Sequence, residues 1–310
     1  MKTTKLLLCL FILFSIVTLL HDTLYKYYTR ILSWNIEFFG LINVNENVEY
    51  YHKISQRIKH FNPDIICLQE VSSMVGIQHL LNYIPNYKLY IDKPYYLKNK
   101  KFLDSKTFES LNTNNIQLNI DNLKRNTISF LLGNCFLVKK SIEVKSFEVI
   151  HKRSISLVYY DKYLKQDVCI YNLHLPSNYS ANNAEKRKEI LENIHQHINV
   201  SNQKNVIIAG DFNTTTQNKE MKIICDKYYD TRYVVSNYPY SQLYVTGMNT
   251  DLTHNGKNET IDYFFVNKNM KSHVRGMFTD IDFCDYNIGN LLASPLKRIS
   301  DHCPIILDIN

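Results

Sequence analysis

The octapeptide Val-Ile-Ile-Ala-Gly-Asp-Phe-Asn at residues 206–213 is the starting point for interpreting this chain. Its first four residues are apolar and mostly β-branched, which is typical of a buried strand. Asp211 and Asn213 follow at the carboxyl end, and residues two apart on an extended chain point the same way. Burying an acid and an amide together costs several kcal/mol unless they have a partner such as a metal ion or a phosphate. An ordinary Asp/Asn turn explains the octapeptide equally well when it is taken alone.

Length and composition favour one large α/β domain. The chain has 310 residues, with 8 glycines and 7 prolines, and no Pro-, Gly- or Ser-rich linker interrupts it. Hydrophobic residues make up 45%, which is ample for a core. The formal net charge of +7 is compatible with a polyanionic substrate or an anionic membrane surface, although an ordinary solvated surface has a similar balance.

The N-terminus has the pattern of a targeting segment. Lys2 and Lys5 precede the uncharged apolar run Leu6–Leu20, which is shorter than the roughly 20 residues of a full membrane span. We therefore expect a signal peptide or an N-terminal membrane anchor over residues 1–22, and a folded domain over residues 30–310. A buried core helix is the remaining explanation of the apolar run. The first two alternatives place the protein in a non-cytosolic compartment, secreted or membrane-anchored, with membrane contact through this segment.

The seven cysteines do not form a recognisable framework. Their spacings resemble neither a zinc site nor a disulfide scaffold. Four lie in apolar, strand-like runs, where a free cysteine behaves as a small hydrophobic residue: Cys67, Cys135, Cys169 and Cys303. The sequence leaves room for one disulfide and does not assign it.

Two strand–helix–strand units are recognisable along the chain. In the first, a strand at residues 31–34 and a strand at residues 64–71 flank an amphipathic helix at residues 47–61. In the second, residues 167–175 form a strand and residues 184–198 form an amphipathic helix that leads into the octapeptide. Further strand-like runs occupy residues 128–138, 142–150, 154–160 and 260–266, and the chain closes with one after residue 302.

Polar side chains stand at the ends of six of these strands: Asn35 with Glu37, Glu70, His174, Asp211 with Asn213, Asp262, and Asp301 with His302. Strand ends converge on the functional crevice in open α/β architectures. Carboxylate and amide oxygens without a thiolate set suit Mg²⁺, with Mn²⁺ as the alternative, and argue against structural zinc. A histidine beside an acid supplies a general base. Together these groups describe metal-assisted attack of water on a phosphodiester or phosphomonoester.

Seven short motifs carry a family resemblance: Trp34-Asn35-Ile36-Glu37, Leu68-Gln69-Glu70, Gly133-Asn134, Asn172-Leu173-His174, Gly210-Asp211-Phe212-Asn213, Ile261-Asp262-Tyr263 and Ser300-Asp301-His302-Cys303-Pro304. In this order they resemble the endonuclease/exonuclease/phosphatase superfamily, which has the deoxyribonuclease I-like fold. The resemblance spans residues 30–310. It implies an α/β (α+β) fold, a four-layer sandwich in which two packed mixed β-sheets are flanked by helices.

The resemblance also implies a set of metal ligands. By position, Glu70 is the main ligand, and Asn35 and Asp301 assist it. Glu37 is the fourth candidate ligand, at a position where members of the family carry an acid or a different residue.

Five further positions match the catalytic residues of the family. His302 corresponds to the general base that activates water, and Asp262 to the acid that orients it. Asp211 helps to position the nucleophile or a metal, and Asn213 holds a phosphate oxygen. His174 donates a hydrogen bond to the phosphate or protonates the leaving group, as in the deoxyribonuclease I and sphingomyelinase branches. Base-excision members tend to have tyrosine there, so His174 argues against that branch, although a lone histidine at a strand end is more often structural.

Three functions follow from these observations. The first is a Mg²⁺-dependent endonuclease, monomeric and secreted or tethered, that cleaves nucleic acid, with DNA favoured. It is based on the basic balance, on the Lys-rich, aromatic residues 88–125, and on the likeness of residues 35–40 to the start of deoxyribonuclease I. The alternative is a sphingomyelinase or phosphoinositide phosphatase acting on membrane lipid headgroups, which the apolar N-terminus would suit. The third is a non-enzymatic binding protein that kept the fold.

Overall fold

The computed structural model describes residues 28–39, 48–71, 74–91, 133–177, 182–231, 260–279, 300 and 302–310. The structural statements that follow concern these residues. The apolar N-terminal run and most of residues 88–125 lie outside them, so the expectations for both segments stay predictions. None of the described helices combines the length and apolar character that crossing a membrane requires.

The described strands form two six-stranded sheets. In chain order they are β1 (Thr29–Phe39), β2 (Ile65–Val71), β3 (Tyr87–Ile91), β4 (Gly133–Lys139), β5 (Val144–His151), β6 (Ser154–Asp161), β7 (Gln166–His174), β8 (Val206–Asp211), β9 (Tyr229–Asp230), β10 (Asp262–Val266), β11 (Val274–Thr279) and β12 (Ile305–Ile309). The α-helices of the described residues are α1 (Val48–Phe61), α2 (Met74–Tyr83), α3 (Asn183–Ser201) and α4 (Lys222–Cys225).

Each sheet mixes parallel and antiparallel pairs. The first sheet has the order β11-β12-β1-β2-β4-β3, and only β1 and β2 pair in parallel. The second has the order β5-β6-β7-β8-β10-β9, with β7 and β8 as the parallel pair. These two parallel pairs are the two strand–helix–strand units that the sequence predicts, because a parallel connection requires a crossover such as a helix.

Successive residues of a strand point to opposite faces of its sheet. The buried residues therefore form three cores, one between the sheets and one on the outer face of each sheet. In β8, Ile207 and Ala209 belong to the core between the two sheets, whereas Val206 and Ile208 belong to the core under α3. A third core lies between the first sheet and the helices α1 and α2. The layers are therefore helix, sheet, sheet and helix, and the four-layer sandwich expected from the sequence is confirmed.

Helix α3 shows how the outer layers attach. Ile190, Leu191, Ile194 and Ile198 form its buried stripe, and each such side chain contributes roughly 1.5–3 kcal/mol when it is removed from water. The helix ends at Asn202, whose left-handed backbone is a common helix terminator.

Three of the four cysteines in the apolar, strand-like runs of the sequence are free and buried, as expected. Cys67, Cys135 and Cys169 are free and buried, and Cys225 is free and exposed. The exception is Cys303, which is disulfide-bonded. An apolar strand context does not distinguish a free thiol from a bridged one, since both are buried.

Candidate active site

The candidate site lies where the inward faces of the two sheets become polar. Toward the middle of the sandwich, these faces carry the apolar residues of the inter-sheet core. Beyond this apolar region, toward one edge of the sandwich, the same inward faces carry four polar residues: Asn35 on β1, His174 on β7, Asp211 on β8 and Asp262 on β10. The register of the second sheet aligns three of them, because His174 and Asp262 each lie directly opposite Asp211.

His302 and Asp262 form a buried pair at the centre of the site. Nδ1 of His302 lies 2.8 Å from Oδ2 of Asp262, and both side chains are buried. Two hydrogen bonds fasten the segment that carries His302 to β1: the Ser300 hydroxyl donates to the carbonyl of Asn35 at 2.6 Å, and the Trp34 indole donates to the carbonyl of His302. Within the segment, the backbone amide of His302 donates to the Ser300 hydroxyl. The pair is thus held from both sheets.

Asn35 connects the first sheet to Asp211. Its amide nitrogen donates to Oδ2 of Asp211 at 2.9 Å and to Oε1 of Glu70 at 3.3 Å, and it lies 3.4 Å from Nε2 of His302. Asp211 also accepts hydrogen bonds from the backbone and side-chain amides of Asn213. Burial nevertheless raises the pKa of Asp211 to about 7, while the nearby His302 acts in the opposite direction.

Glu70 reaches the site through an irregular backbone. Strict alternation along β2 would place Gln69 inward and Glu70 outward. The backbone of Glu70 has a left-handed φ of 59°, and the pairing of β2 with β4 shifts register between Leu68 and Val71. Bulges of this kind redirect a side chain, often next to an active site. The carboxylate of Glu70 consequently lies beside Asn35 instead of facing the helices.

His174 is buried between two carboxylates. Its Nε2 lies 3.5 Å from Oε1 of Glu70 and 3.6 Å from Oδ2 of Asp211. Burial lowers its pKa well below the ordinary value, and Arg153 and His302 add to that effect. The imidazole is therefore neutral, and Nδ1 has no hydrogen-bond partner among the described residues. The two roles that the sequence left open for His174, hydrogen-bond donation to the phosphate and protonation of the leaving group, stay predictions.

Arg153 is a site residue that the sequence reasoning missed. It lies in the turn between β5 and β6, and Nη1 donates to the carbonyl of His174 at 3.3 Å. Burial lowers the pKa of the guanidinium, while the carboxylates of Glu70 and Asp211 oppose that effect. The sequence shows only that Arg153 directly precedes the strand predicted at residues 154–160. That position does not reveal whether the turn lies at the same end of the sheet as the site.

Gly210 makes the approach of β8 to β7 possible. Its φ is +132°, and a Cβ atom there would clash with the backbone of Leu173. Glycine is the residue that adopts such a conformation without a steric cost. The glycine of the octapeptide therefore keeps Asp211 in register with His174.

Not every predicted site residue can be placed. Asp301 and the side chain of Glu37 lie outside the described residues. Asn213 is described, and its left-handed backbone directs the side chain toward Asp211 and toward the carbonyl of Leu175. The roles of these residues stay predictions.

The donor set is suited to a divalent cation. Glu70 and Asp211 bring two carboxylates to the same imidazole nitrogen, and hard oxygen ligands of this kind suit Mg²⁺ or Mn²⁺. A second group, Asp211, Asp262 and His302, has ligand atoms within 4.8 Å of one another. Within this group, Nδ1 of His302 already lies at hydrogen-bonding distance from Asp262, and the assignment of Glu70 as the main metal ligand stays a prediction.

The fold and the oxygen-rich site define a class, the phosphoester hydrolases built on two packed mixed β-sheets. Within this class, the model of the endonuclease/exonuclease/phosphatase family matches residues 32–302, and the chain belongs to that family. Its members are hydrolases of phosphoester bonds and commonly use divalent metal ions. No curated protein sequence matched the chain.

Solved structures show the same fold at low sequence identity. An endonuclease/exonuclease/phosphatase from Bacteroides vulgatus has a TM-score of 0.59 at 15% identity, covering 91% of this chain and 98% of that one. The catalytic domain of human Nocturnin, with a bound sulfate anion, has a TM-score of 0.58 at 16% identity, with coverages of 92% and 95%. Truncated TDP2 from Caenorhabditis elegans has a TM-score of 0.57 at 16% identity, with coverages of 91% and 97%.

Proposed function

We propose that this protein is a Mg²⁺-dependent phosphodiester hydrolase, a deoxyribonuclease I-like endonuclease that cleaves nucleic acid, with DNA as the favoured substrate. The observation that carries the proposal is the buried His302–Asp262 pair, which lies beside Asp211, Asn35 and Glu70. A base, its orienting acid and an oxygen-rich ligand set together are what water attack on a phosphodiester requires.

The base is His302. Asp262 accepts the Nδ1 proton at 2.8 Å, which leaves Nε2 unprotonated and able to take a proton from water. The same carboxylate stabilises the imidazolium that forms when the proton is transferred. Asp211, with Oδ2 3.8 Å from Nε2 of His302, is placed to orient the attacking water.

Glu70 and Asn35 are the residues that would hold the cation, with Asp301 and Glu37 as further candidates. A bound divalent ion supplies positive charge that offsets the negative charge developing on the phosphate. The side chain of Glu70 keeps 16% of its surface exposed, so it is accessible to an ion and to substrate. Asn35 is buried and fixed by its bonds to Asp211 and Glu70.

The phosphate is bound by neutral and cationic donors. His174 offers an N–H from Nε2, and Arg153 places a partly buried positive charge next to it. Asn213 is a further candidate donor; its Nδ2 donates to Asp211 and to the carbonyl of Leu175, so it would exchange one of these bonds for a phosphate oxygen. Donors that are already fixed before the reaction stabilise the developing charge without reorganisation.

Two features support nucleic acid as the substrate: the net charge of +7 and the Lys-rich, aromatic residues 88–125. Lysine neutralises phosphates and aromatic rings stack on bases. The apolar run Leu6–Leu20 supports a second candidate, a sphingomyelinase or phosphoinositide phosphatase working at a membrane surface.

We further propose that the protein is secreted or membrane-anchored and acts as a monomer in a non-cytosolic compartment. The disulfide at Cys303 supports this location, because structural disulfides persist mainly in oxidising compartments. The N-terminal apolar run is the second support. Fractionation of cells expressing the full chain tests the location, and recovery in the cytosolic fraction would contradict it.

One parallel assay tests the function. The purified protein with Mg²⁺ is offered plasmid DNA, RNA, sphingomyelin and phosphoinositides, with EDTA and His302→Ala as negative controls. Cleavage of DNA that both controls abolish is the expected result. Cleavage of lipid without cleavage of DNA would replace the first candidate by the second. A folded, Mg²⁺-binding sample that cleaves nothing would favour the non-enzymatic alternative.

A further inference from the structure

Three buried carboxamides lie directly beneath the site and have no part in the proposed chemistry. Gln69, Asn134 and Asn172 are all at most 4% exposed. Each comes from a motif of the family resemblance, yet none of the proposed catalytic steps uses them. Together with Ser33 they form a polar layer between the apolar inter-sheet core and the site.

Gln69 and Asn172 join the two sheets. Nε2 of Gln69 in β2 donates to Oδ1 of Asn172 in β7 at 2.8 Å. Nδ2 of Asn172 in turn donates to the carbonyl of Leu68 at 3.0 Å and to the carbonyl of Cys135 at 2.9 Å. One carboxamide of the second sheet is therefore bonded to two neighbouring strands of the first.

Asn134 extends these contacts to the turn that carries Arg153. Its Nδ2 donates to the carbonyl of Arg153 at 3.0 Å and to the carbonyl of Asn172 at 3.2 Å. The same carbonyl of Arg153 also accepts the backbone amide of His174 at 3.0 Å. The position of β4 is thus linked to both phosphate-binding candidates of the second sheet.

The neighbours of these carboxamides along the chain are site residues. Gln69 precedes Glu70, whose left-handed backbone places the carboxylate in the site. Asn172 lies two residues before His174 on the same face of β7. Elsewhere the sheets meet mainly through apolar side chains, and apolar contacts are not directional. Hydrogen bonds have a preferred length and angle, so they can determine how far apart the two sheets stand.

The side chain of Gln69 has a feature that a purely stabilising residue would lack. Oε1 of Gln69 is buried and has no hydrogen-bond partner among the described residues. A buried acceptor without a donor disfavours folding, and an apolar side chain of the same shape would avoid that cost. Glutamine at this position is therefore better explained by the geometry it imposes than by the stability it adds.

We infer that Gln69, Asn134 and Asn172 are positioning residues, an inter-sheet carboxamide clamp that sets the separation of Glu70 in the first sheet from His174 and Arg153 in the second. The inference rests on the proposed function, because the separation matters only if both sheets act on one phosphate. A misplacement of about 1 Å in such a constellation can cost about 10²-fold in rate.

The test compares Gln69→Met with a matched control. Methionine has a similar length and cannot donate to Asn172 or Ser33. The control is Asn205→Ala, since Asn205 is a buried carboxamide at the opposite end of the second sheet and donates to Gln166 and to the carbonyl of Asp167. The measurements are kcat and KM for DNA, the Mg²⁺ concentration that gives half-maximal rate, and the rise in melting temperature that Mg²⁺ causes.

We expect Gln69→Met to lower kcat by about 10–100-fold, to raise the half-maximal Mg²⁺ concentration, and to reduce the Mg²⁺-dependent rise in melting temperature. Asn205→Ala should keep all three wild-type values, even if it unfolds at a lower temperature. Asn134→Ala is the second variant, to be used if Gln69→Met does not fold. It should lower kcat and leave the Mg²⁺ dependence unchanged, because it acts on the His174 and Arg153 side.

Folded Gln69→Met or Asn134→Ala protein with wild-type kcat would overturn the inference, as would an equal loss of kcat in Asn205→Ala. Failure of the proposed function gives a different result, since the wild-type protein itself would then not cleave DNA.

Discussion

Asp262 and Asp211 lie directly opposite each other in the antiparallel pair of β10 and β8, yet only Asp262 is in hydrogen-bonding contact with His302. Its Oδ2 lies 2.8 Å from Nδ1 of His302, whereas Oδ2 of Asp211 lies 3.8 Å from Nε2 of the same ring. The two acids therefore face opposite nitrogens of one imidazole. In the proposed mechanism, Asp262 fixes which nitrogen carries the proton, and Asp211 faces the nitrogen that takes a proton from water.

The first prediction follows from this division. Asp262→Asn should lower kcat by about 10³–10⁴-fold while the protein stays folded, because an amide can stabilise the wrong tautomer of His302 and cannot stabilise the imidazolium. His302→Ala should abolish hydrolysis. The measurement is the single-turnover rate at saturating substrate, with circular dichroism as the check of folding.

The control for both variants is His195→Ala, which removes a histidine from α3 whose Nδ1 contacts the Tyr228 hydroxyl, on an element that supplies none of the proposed catalytic residues. Its rate should equal that of the wild type. Near-normal turnover in His302→Ala would rule out His302 as the base.

The sequence predicted the architecture well because its signals are local. The strand before Gly210 is recognisable from its run of β-branched residues, and α3 from the helical spacing of its buried apolar residues. The polar residues at the strand ends are recognisable from the order of the motifs. The contact between Gln69 and Asn172 joins residues 103 positions apart on different sheets, and no local pattern reports it. No local pattern reports the role of Arg153 either, because that role depends on the turn between β5 and β6 lying next to His174. The left-handed backbone of Glu70 was likewise hidden, since it depends on the bulge in β2.

The second prediction concerns the glycine of the octapeptide. Gly210→Ala should destabilise the protein by more than about 4 kcal/mol or prevent folding, because a positive φ and a clash with the backbone of Leu173 act together. Gly133→Ala is the matched control. A Cβ atom there would meet only the carbonyl of Val71 at 3.4 Å, an ordinary contact. Urea unfolding measures both, and equal free energies of unfolding for the two variants would contradict the role given to Gly210.

The third prediction concerns Arg153. Arg153→Met should lower kcat by about 10²-fold, since it removes a fixed positive charge from beside the phosphate-binding imidazole. Lys188→Met removes the same charge from an exposed position on α3, where the lysine lies 4.0 Å from Glu192. If only the net charge mattered, the two variants would lose activity equally and the loss would fade with added salt. A loss confined to Arg153→Met and insensitive to salt is the expected result.

The fourth prediction concerns stability at low pH and a buried ion pair outside the site. Arg187 of α3 donates to Oε1 of Glu220 at 2.6 Å and 3.0 Å, and also to the carbonyl of Pro176. Burial raises the pKa of Glu220, but the hydrogen bonds from Arg187 and Thr214 outweigh it and the net shift is downward from 4.5. Arg187→Met should cost about 3–5 kcal/mol at neutral pH, because it leaves a buried carboxylate without its partner.

The sign of the pH effect follows from the lowered pKa of Glu220. A carboxylate whose folded pKa lies below its unfolded value stabilises the protein above the unfolded value, and that contribution is lost as the pH falls through the folded value. The free energy of unfolding should therefore decrease below pH 4.5 in the wild type. Glu220→Gln should be less stable than the wild type at pH 7 and should show a shallower decrease in acid. Urea titrations at a series of pH values measure both slopes, and parallel slopes would show that Glu220 does not contribute to the acid sensitivity.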